Sequence, residues 1–202
     1  GKRMSFRKEK KYRLSYSDML VLKGHLKDQG MILLHPSRLI SSCYFDTQDL
    51  ALYEESEEGV LPRKKIRIRW YNDDTNFTKE VKISSVEGRF KYTEKLASIT
   101  TLSELKEISF FDQVYGNLSA VLVVSYEREY YSLGDLRVTF DSQISYKDCR
   151  LSSMPNYMDE ECVMEVKVPI NCEDDYIESL ISHSTSRFSK YSRGLLYSDG
   201  IM

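Results

Sequence analysis

Between Arg63 and Trp70 the chain reads RKKIRIRW, and this stretch constrains the fold more than any other. Its odd positions are Arg63, Lys65, Arg67 and Arg69, and its even positions are Lys64, Ile66, Ile68 and Trp70. Successive side chains of a strand point to opposite sides, so a strand here has one wholly cationic face and one mostly apolar face. A helix would scatter both sets around its axis. The period of two recurs with both signs of charge. Glu80 and Lys82 alternate with Val81 and Ile83, and Arg137, Thr139 and Asp141 alternate with Leu136, Val138 and Phe140. Glu165 and Lys167 alternate with Met164, Val166 and Val168. Near the start, Arg7, Glu9, Lys11 and Arg13 share a parity, although Lys8 and Lys10 put charge on the opposite face too. Arg89, Lys91, Thr93 and Lys95 form another row, and Tyr126 with Arg128 a shorter one.

Two architectures accommodate such rows. An open antiparallel sheet would bury the apolar face and leave the charges in water. A sheet that closes on itself would gather the charged rows around one axis. Gathered cations repel one another, so a closed arrangement makes physical sense with a polyanion inside. Arg offers a fork of donors to phosphate, and Lys a movable point charge. Single carboxylates among the cations suit a divalent metal held beside the phosphates.

The 202 residues fit one domain, with 41% hydrophobic and 12% aromatic residues to supply a core. A net charge of −2 argues against a generic nucleic-acid coat, and no nucleic-acid partner is expected. No apolar run of about 18 residues and no apolar signal core is present, so a cytoplasmic location is expected. A membrane-bound partner would leave no trace in this sequence. Cys43, Cys149, Cys162 and Cys172 form no C-x-x-C pair, and His25, His35 and His183 are scattered, so reduced thiols rather than a zinc site are expected. No G-x-x-x-x-G-K-[ST] loop occurs.

Strands are predicted over 6–14, 40–46, 63–71, 77–84, 89–96, 120–131, 135–141 and 162–168. Helices are predicted over 17–30 with Ser17 as cap and Leu20, Leu22, Leu26 and Met19 near one side, over a short segment at 48–55, over 102–115 capped by Ser103, and over 173–185. The tail 187–197 reads equally as helix or loop. The arrangement is a β-rich α+β domain with antiparallel connections.

Several stretches in this order resemble one family. They are Arg7-x-Glu9-x-Lys11-Tyr12, Tyr44-Phe45-Asp46-Thr47, Lys65-Ile66-Arg67-Ile68-Arg69, Glu80-Val81-Lys82, Ser125-Tyr126-Glu127-Arg128-Glu129, Arg137-Val138-Thr139-Phe140-Asp141, Glu165-Val166-Lys167 and Ser189-Lys190-Tyr191. Together they resemble the VTC domain, the polyphosphate-polymerase branch of the triphosphate tunnel metalloenzymes, in a bacterial form. The resemblance implies a single domain over residues 1–202, an antiparallel eight-stranded β-tunnel with helices packed outside.

It also implies transfer of the γ-phosphate of ATP to inorganic polyphosphate or tripolyphosphate, with Mn²⁺ or Mg²⁺ as cofactor. Carried over by position, Lys11, Arg67, Arg69, Lys82, Arg128, Arg137, Lys167 and Lys190 would be catalytic. Glu165 would be the principal metal carboxylate and Glu9 a weaker candidate. From the residues themselves Asp141 reads as a second ligand or simply as the neutraliser of Arg137. Lys65 would add a substrate contact. After Gly88, relatives show a Lys followed closely by Arg, whereas this chain has Lys91-Tyr92-Thr93-Glu94-Lys95, so either Lys91 or Lys95 would take that place. Tyr12, Tyr44 and Tyr191 read as packing residues. The alternatives are a tripolyphosphatase or nucleoside triphosphatase on the same fold, and a non-catalytic polyphosphate-binding module. Hydrolysis should want more carboxylates than the single glutamates found on each strand.

Overall fold

Tyr12, Leu14, Val138, Phe140, Met164, Val166 and Val168 leave three neighbouring strands on one side, and covering that apolar surface organises one part of the molecule. The computed structural model describes residues 6–74, 76–96 and 101–202. The strands are β1 (Phe6–Ser15), β2 (Ile32–Asp46), β3 (Arg63–Tyr71), β4 (Phe77–Ser85), β5 (Gly88–Leu96), β6 (Ser109–Asp112), β7 (Gly116–Leu133), β8 (Leu136–Asp148), β9 (Asn156–Met158) and β10 (Glu161–Pro169). The helices are α1 (Tyr16–Asp28), α2 (Ala51–Glu58), α3 (Leu102–Glu107), α4 (Asp174–Leu180) and α5 (Lys190–Ser198). The sheet order is β1-β10-β8-β7-β2-β3-β4-β5, with β6 added on β7 and β9 on β8. The chain divides into two compact units. One comprises Gly1–Arg38, Tyr126–Ile144 and Asp159–Phe188, the other Leu39–Ser125, Ser145–Met158 and Ser189–Met202.

In the first unit β1 pairs antiparallel with β10, and β10 with β8. Helix α1 covers their apolar side with Met19, Leu22 and Leu26, spaced three and four apart for one helix face. Leu20, expected near that face, is 47% exposed. The N-cap is Ser15 rather than Ser17: its hydroxyl accepts from the Asp18 N–H at 3.1 Å, a bond that stabilises a helix start by about 1 kcal/mol. Lys8 and Lys10, the charges on the wrong parity, are answered by Asp174 of α4. Lys10 Nζ lies 3.0 Å and Lys8 Nζ 3.9 Å from its Oδ1, while α4 itself inserts Ile177 into the core. The predicted helix over 173–185 is confined to Asp174–Leu180. The Arg7 side chain lies outside the described residues.

In the second unit Cys43, Phe45, Ile66, Ile68 and Phe77 project from β2, β3 and β4 onto a core shared with Leu52 of α2, Leu105 of α3 and Leu118 of β7. The helix predicted over 102–115 ends at Glu107, and its cap is Thr101, not Ser103. Residues 109–112 are a strand instead, paired with 116–119 of β7 around a turn in which Asp112 accepts from the N–H groups of Val114 and Tyr115. Ile108 turns extended, with φ −76° and ψ 138°, and ends the helix, while Gly116 takes φ 81° at the close of the later turn. The helix predicted at 48–55 begins later, at Ala51, because Leu50 is left-handed with φ 59° and makes no cap. Asp46 and Thr47 cap it from a distance. The buried Asp46 carboxylate accepts from Leu52 N–H at 2.9 Å and Tyr53 N–H at 3.0 Å, and Thr47 Oγ1 accepts from Ala51 N–H at 2.8 Å. The tail forms helix α5. At Gly194 a Cβ would stand 2.3 Å from Leu122 Cδ2 and 2.7 Å from Tyr146 Cδ1, so glycine lets that helix lie against its strands. Among the described residues no helix is long and apolar enough to cross a membrane.

Candidate functional site

The cation-bearing parity of β3 defines a face of the second unit. Directly opposite residues in an antiparallel ladder share a face, and the registers place Arg67 opposite Tyr44 and Glu80, Arg69 opposite Ser42 and Thr78, and Lys65 opposite Lys82. Lys91 stands opposite Lys82, and Lys95 opposite Thr78. Lys65, Arg67, Arg69, Lys82, Lys91 and Lys95 therefore share one side of β3, β4 and β5, as their parity predicted. Both Lys91 and Lys95 are on that side.

Glu80 organises this face. Arg67 Nε donates to its Oε1 at 2.9 Å, Arg69 Nε lies 3.8 Å from the same oxygen, and Lys91 Nζ is 2.9 Å from Oε2. The carboxylate is 5% exposed. Burial alone would raise its pKa, but the Arg67 charge, the Lys91 hydrogen bond and Arg69 outweigh it and lower it to about 2. Lys82, by contrast, is pushed down to about 8, first by the protein packed around it and then by Arg67, Lys91 and Arg69, although its side chain still reaches solvent. Arg69 Nε also donates to Ser42 Oγ at 3.3 Å.

Tyr44 is on this face too. Arg67 Nη1 donates to its phenolic oxygen at 3.2 Å, and its ring stacks on Tyr191 with centroids 4.9 Å apart and planes 11° apart. Tyr191 donates its own O–H to Asp46 Oδ2 at 2.8 Å. Lys190 opens α5 just after its Ser189 cap and is half-buried.

The first unit carries a mixed row. Glu9 lies opposite Lys167, Lys167 opposite Arg137, Lys11 opposite Glu165, and Glu165 opposite Thr139. The signs thus alternate along β1 and β10 and across that pair, whereas Lys167 and Arg137 are like charges directly opposite each other. Lys167 Nζ is 3.7 Å from Glu9 Oε1, rather than bonded to the nearer-in-sequence Glu165. Arg137 and Lys167 are exposed, Lys11 half-buried. Arg128 holds buried Asp141 with two hydrogen bonds, Nε to Oδ1 at 2.7 Å and Nη2 to Oδ2 at 2.8 Å. Burial works against the Arg128 charge, but Asp141 more than compensates, raising its pKa. Asp141 is therefore committed to an arginine, which removes it as a metal ligand.

Among the described residues no three acids, histidines or cysteines come close enough to hold a metal ion by themselves. Half-buried Glu165 shares its face with Glu9, and among the described residues no hydrogen bond or ion pair engages it. Arg128 is near enough to interact with its charge. Mg²⁺ commonly takes one or two protein carboxylates, with phosphate oxygens and water completing the shell. The donor set fits a metal that arrives with phosphate, with Glu165 the better ligand and Glu9 partly satisfied by Lys167.

Residues 6–198 match the family model of the VTC domain. The chain belongs to the VTC domain family. Its fold is the triphosphate tunnel type, and solved structures share it at low identity. A Vibrio parahaemolyticus protein provisionally assigned as an adenylate cyclase is 16% identical, with a TM-score of 0.53 over 96% of this VTC domain and 99% of that chain. The PH1012 protein of Pyrococcus horikoshii OT3 is 12% identical, with a TM-score of 0.55 over 91% and 96%. HpAC1 of Hippeastrum, a provisional adenylyl cyclase described as having a dominant triphosphatase activity, is 14% identical, with a TM-score of 0.55 over 95% of each chain. No curated protein sequence matches the VTC domain significantly.

Two residues of this face carry no site role in the sequence reading. Glu80 is the hub of three cations. Tyr44 was read as packing, although it stands two residues from Ser42 on the parity that faces Arg67 and Arg69.

Proposed function

We propose that this VTC domain is a polyphosphate polymerase that transfers the γ-phosphoryl group of ATP to the end of a growing polyphosphate chain, with Mn²⁺ or Mg²⁺ as cofactor. The observation that carries the reading is the face of β3, β4 and β5. There Lys65, Arg67, Arg69, Lys82, Lys91 and Lys95 are gathered with Glu80 as the one acid of those three strand rows. So many cations around one carboxylate leave a large positive excess, and a linear polyanion is the ligand that neutralises it.

Phosphoryl transfer asks for positioning and charge neutralisation more than covalent help from the protein. Arg67 and Arg69, already aimed by Glu80, Ser42 and Tyr44, would grip the triphosphate, with Lys82, Lys91 and Lys95 along its length. The family resemblance assigns Lys190, and on the first unit Lys11, Arg128, Arg137 and Lys167, to phosphate as well. A terminal oxygen of the acceptor attacks the γ-phosphorus as the bond to the β-phosphate oxygen breaks, releasing ADP. That oxygen is already ionised, so no general base is required. A metal held by Glu165, with Glu9 as a second ligand, would supply charge stabilisation at the phosphate oxygens.

The triphosphatase activity described for the Hippeastrum protein makes hydrolysis the second reading. Incubation with ATP and Mn²⁺, followed by gel analysis, separates them. Long-chain polyphosphate is the expected product, and release of orthophosphate without chain growth would replace the polymerase by a hydrolase. Binding of tripolyphosphate with no turnover would leave a binding module.

A further inference from the structure

Tyr44 has the surroundings of an ion partner rather than of a packing residue. Its side chain is 7% exposed, yet its oxygen points to the cationic side of the sheet and accepts from Arg67 Nη1 at 3.2 Å. Its own proton goes to no group among the described residues. Lys65, Arg67 and Arg69 of β3 face it, and Lys82 of β4 is near enough to interact with it. Glu80 reaches it only through the shared Arg67. The ring of Tyr191 from α5 stacks on it, and Leu52 and Ser56 of α2 line a small pocket with Tyr44, Tyr191 and Lys64, a lysine already ion-paired to Asp112 at 2.6 Å. No acid faces the phenol directly among these groups.

We infer that Tyr44 belongs to the phosphate-binding face as a displaceable counter-ion: in the free protein its oxygen serves Arg67, and an arriving phosphate takes over that guanidinium while Tyr44 takes up a proton from solvent. The inference rests on the proposed phosphate-binding function and adds to it a named proton acceptor. Charge balance supplies the reason. Glu80 is the one acid on the facing rows of β3, β4 and β5, and an ionised phenol would place a second negative charge beside Arg67. A bound triphosphate brings several negative charges to the same place, so the phenolate becomes the superfluous one and is best neutralised by a proton. Once protonated, Tyr44 presents an O–H donor to a phosphate oxygen.

The two stacked tyrosines divide accordingly. Burial raises the Tyr44 pKa, but Arg67, Lys65 and Arg69 reverse this and lower it to about 7. Tyr191, 4.9 Å away, is raised well above the ordinary tyrosine value by burial and by Asp46, and so stays a phenol.

Two measurements test this. The first is the ultraviolet absorbance of tyrosinate in the free protein, titrated through neutrality. One component should have its midpoint near pH 7 and vanish in Tyr44→Phe but persist in Tyr191→Phe. The second is calorimetry of tripolyphosphate binding at pH 7 in buffers of different ionisation enthalpy. A phenol with its midpoint there is about half ionised, so wild type should take up about half a proton more than Tyr44→Phe. Lys82 also titrates near this range and is influenced by Tyr44, so the comparison is made with Lys82→Arg in both proteins, and the difference between them is the readout. Equal uptake in the two proteins, or no tyrosinate component near neutrality, overturns the inference and leaves the phosphate site standing. If wild-type protein binds no tripolyphosphate, the proposed function fails and the inference falls with it. Should Tyr44→Phe fail to fold, the wild-type absorbance titration with and without tripolyphosphate still decides. The neutral component must move to higher pH when ligand is added.

Discussion

Glu80 stands directly opposite Arg67 in the β3–β4 ladder and accepts its Nε hydrogen bond at 2.9 Å, while Lys91 from β5 takes the other carboxylate oxygen at the same distance. One acid thus ties three strands together on their charged side. Their apolar sides are tied by Ile66, Phe77 and Ile68 in the core. The acid's folded pKa of about 2 lies below its ordinary 4.5. Its contribution is therefore fully present above pH 4.5 and is lost as pH falls toward 2. Denaturant unfolding of wild type and Glu80→Gln should differ by ~3 kcal/mol at pH 7, and the difference should close on acidification through that window. A gap that is constant between pH 7 and pH 2 would show that charge is not the cause.

Glu165→Gln keeps size and hydrogen bonding but removes the charge a cation needs. Turnover should fall by roughly 10²-fold or more, the scale for losing an electrostatic contact to a transition state. Metal-free tripolyphosphate binding, read by thermal shift, should survive. Full metal-dependent activity in this variant would reassign the metal ligand.

Lys82 loses its proton near pH 8 rather than 10.5. Tripolyphosphate affinity should therefore weaken between pH 7 and pH 9 as this cation is neutralised. Lys82→Arg, which keeps its charge across that range, should make the profile shallower and leave the part of the fall that comes from Tyr44, and calorimetric titration at three pH values would show it. A variant whose affinity falls as steeply as wild type would place the titrating group elsewhere.

Gly194→Ala gains helix propensity of about 1 kcal/mol, yet the new methyl would meet Leu122 and Tyr146, both fully buried. Tyr146 is a rigid ring with no room to withdraw. Overpacking should win, with a net loss of ~1–3 kcal/mol in denaturant unfolding. A variant as stable as wild type would mean that α5 can lift off without penalty.

Tripolyphosphate itself should raise the melting temperature, and the shift should shrink as salt rises, because screening weakens attraction between exposed charges. No shift at millimolar ligand, with or without metal, would count against the charged face as a phosphate site.

Alternation along the chain was enough to determine which side chains of β3, β4, β5, β8 and β10 lie on charged and which on apolar sides. That relation is local: it follows from backbone geometry two residues at a time. Strand β3 was bounded from sequence at Arg63–Tyr71, as observed. Where alternation gave way to mixed patterns, the reading slipped. Leu105, Ile108 and Phe111 fit a helical spacing, but only Leu105 is on the helix, and the pairing of 109–112 with 116–119 took the rest. Partner choice lay further out of reach. That Glu80 serves Arg67 and Lys91, that Asp141 is claimed by Arg128 and Lys167 by Glu9, and that Tyr44 turns its oxygen to a guanidinium all depend on register between strands distant in sequence. Faces can be read along one strand, because parity is a property of that strand alone. Partners emerge only on folding, because register comes from packing many side chains at once.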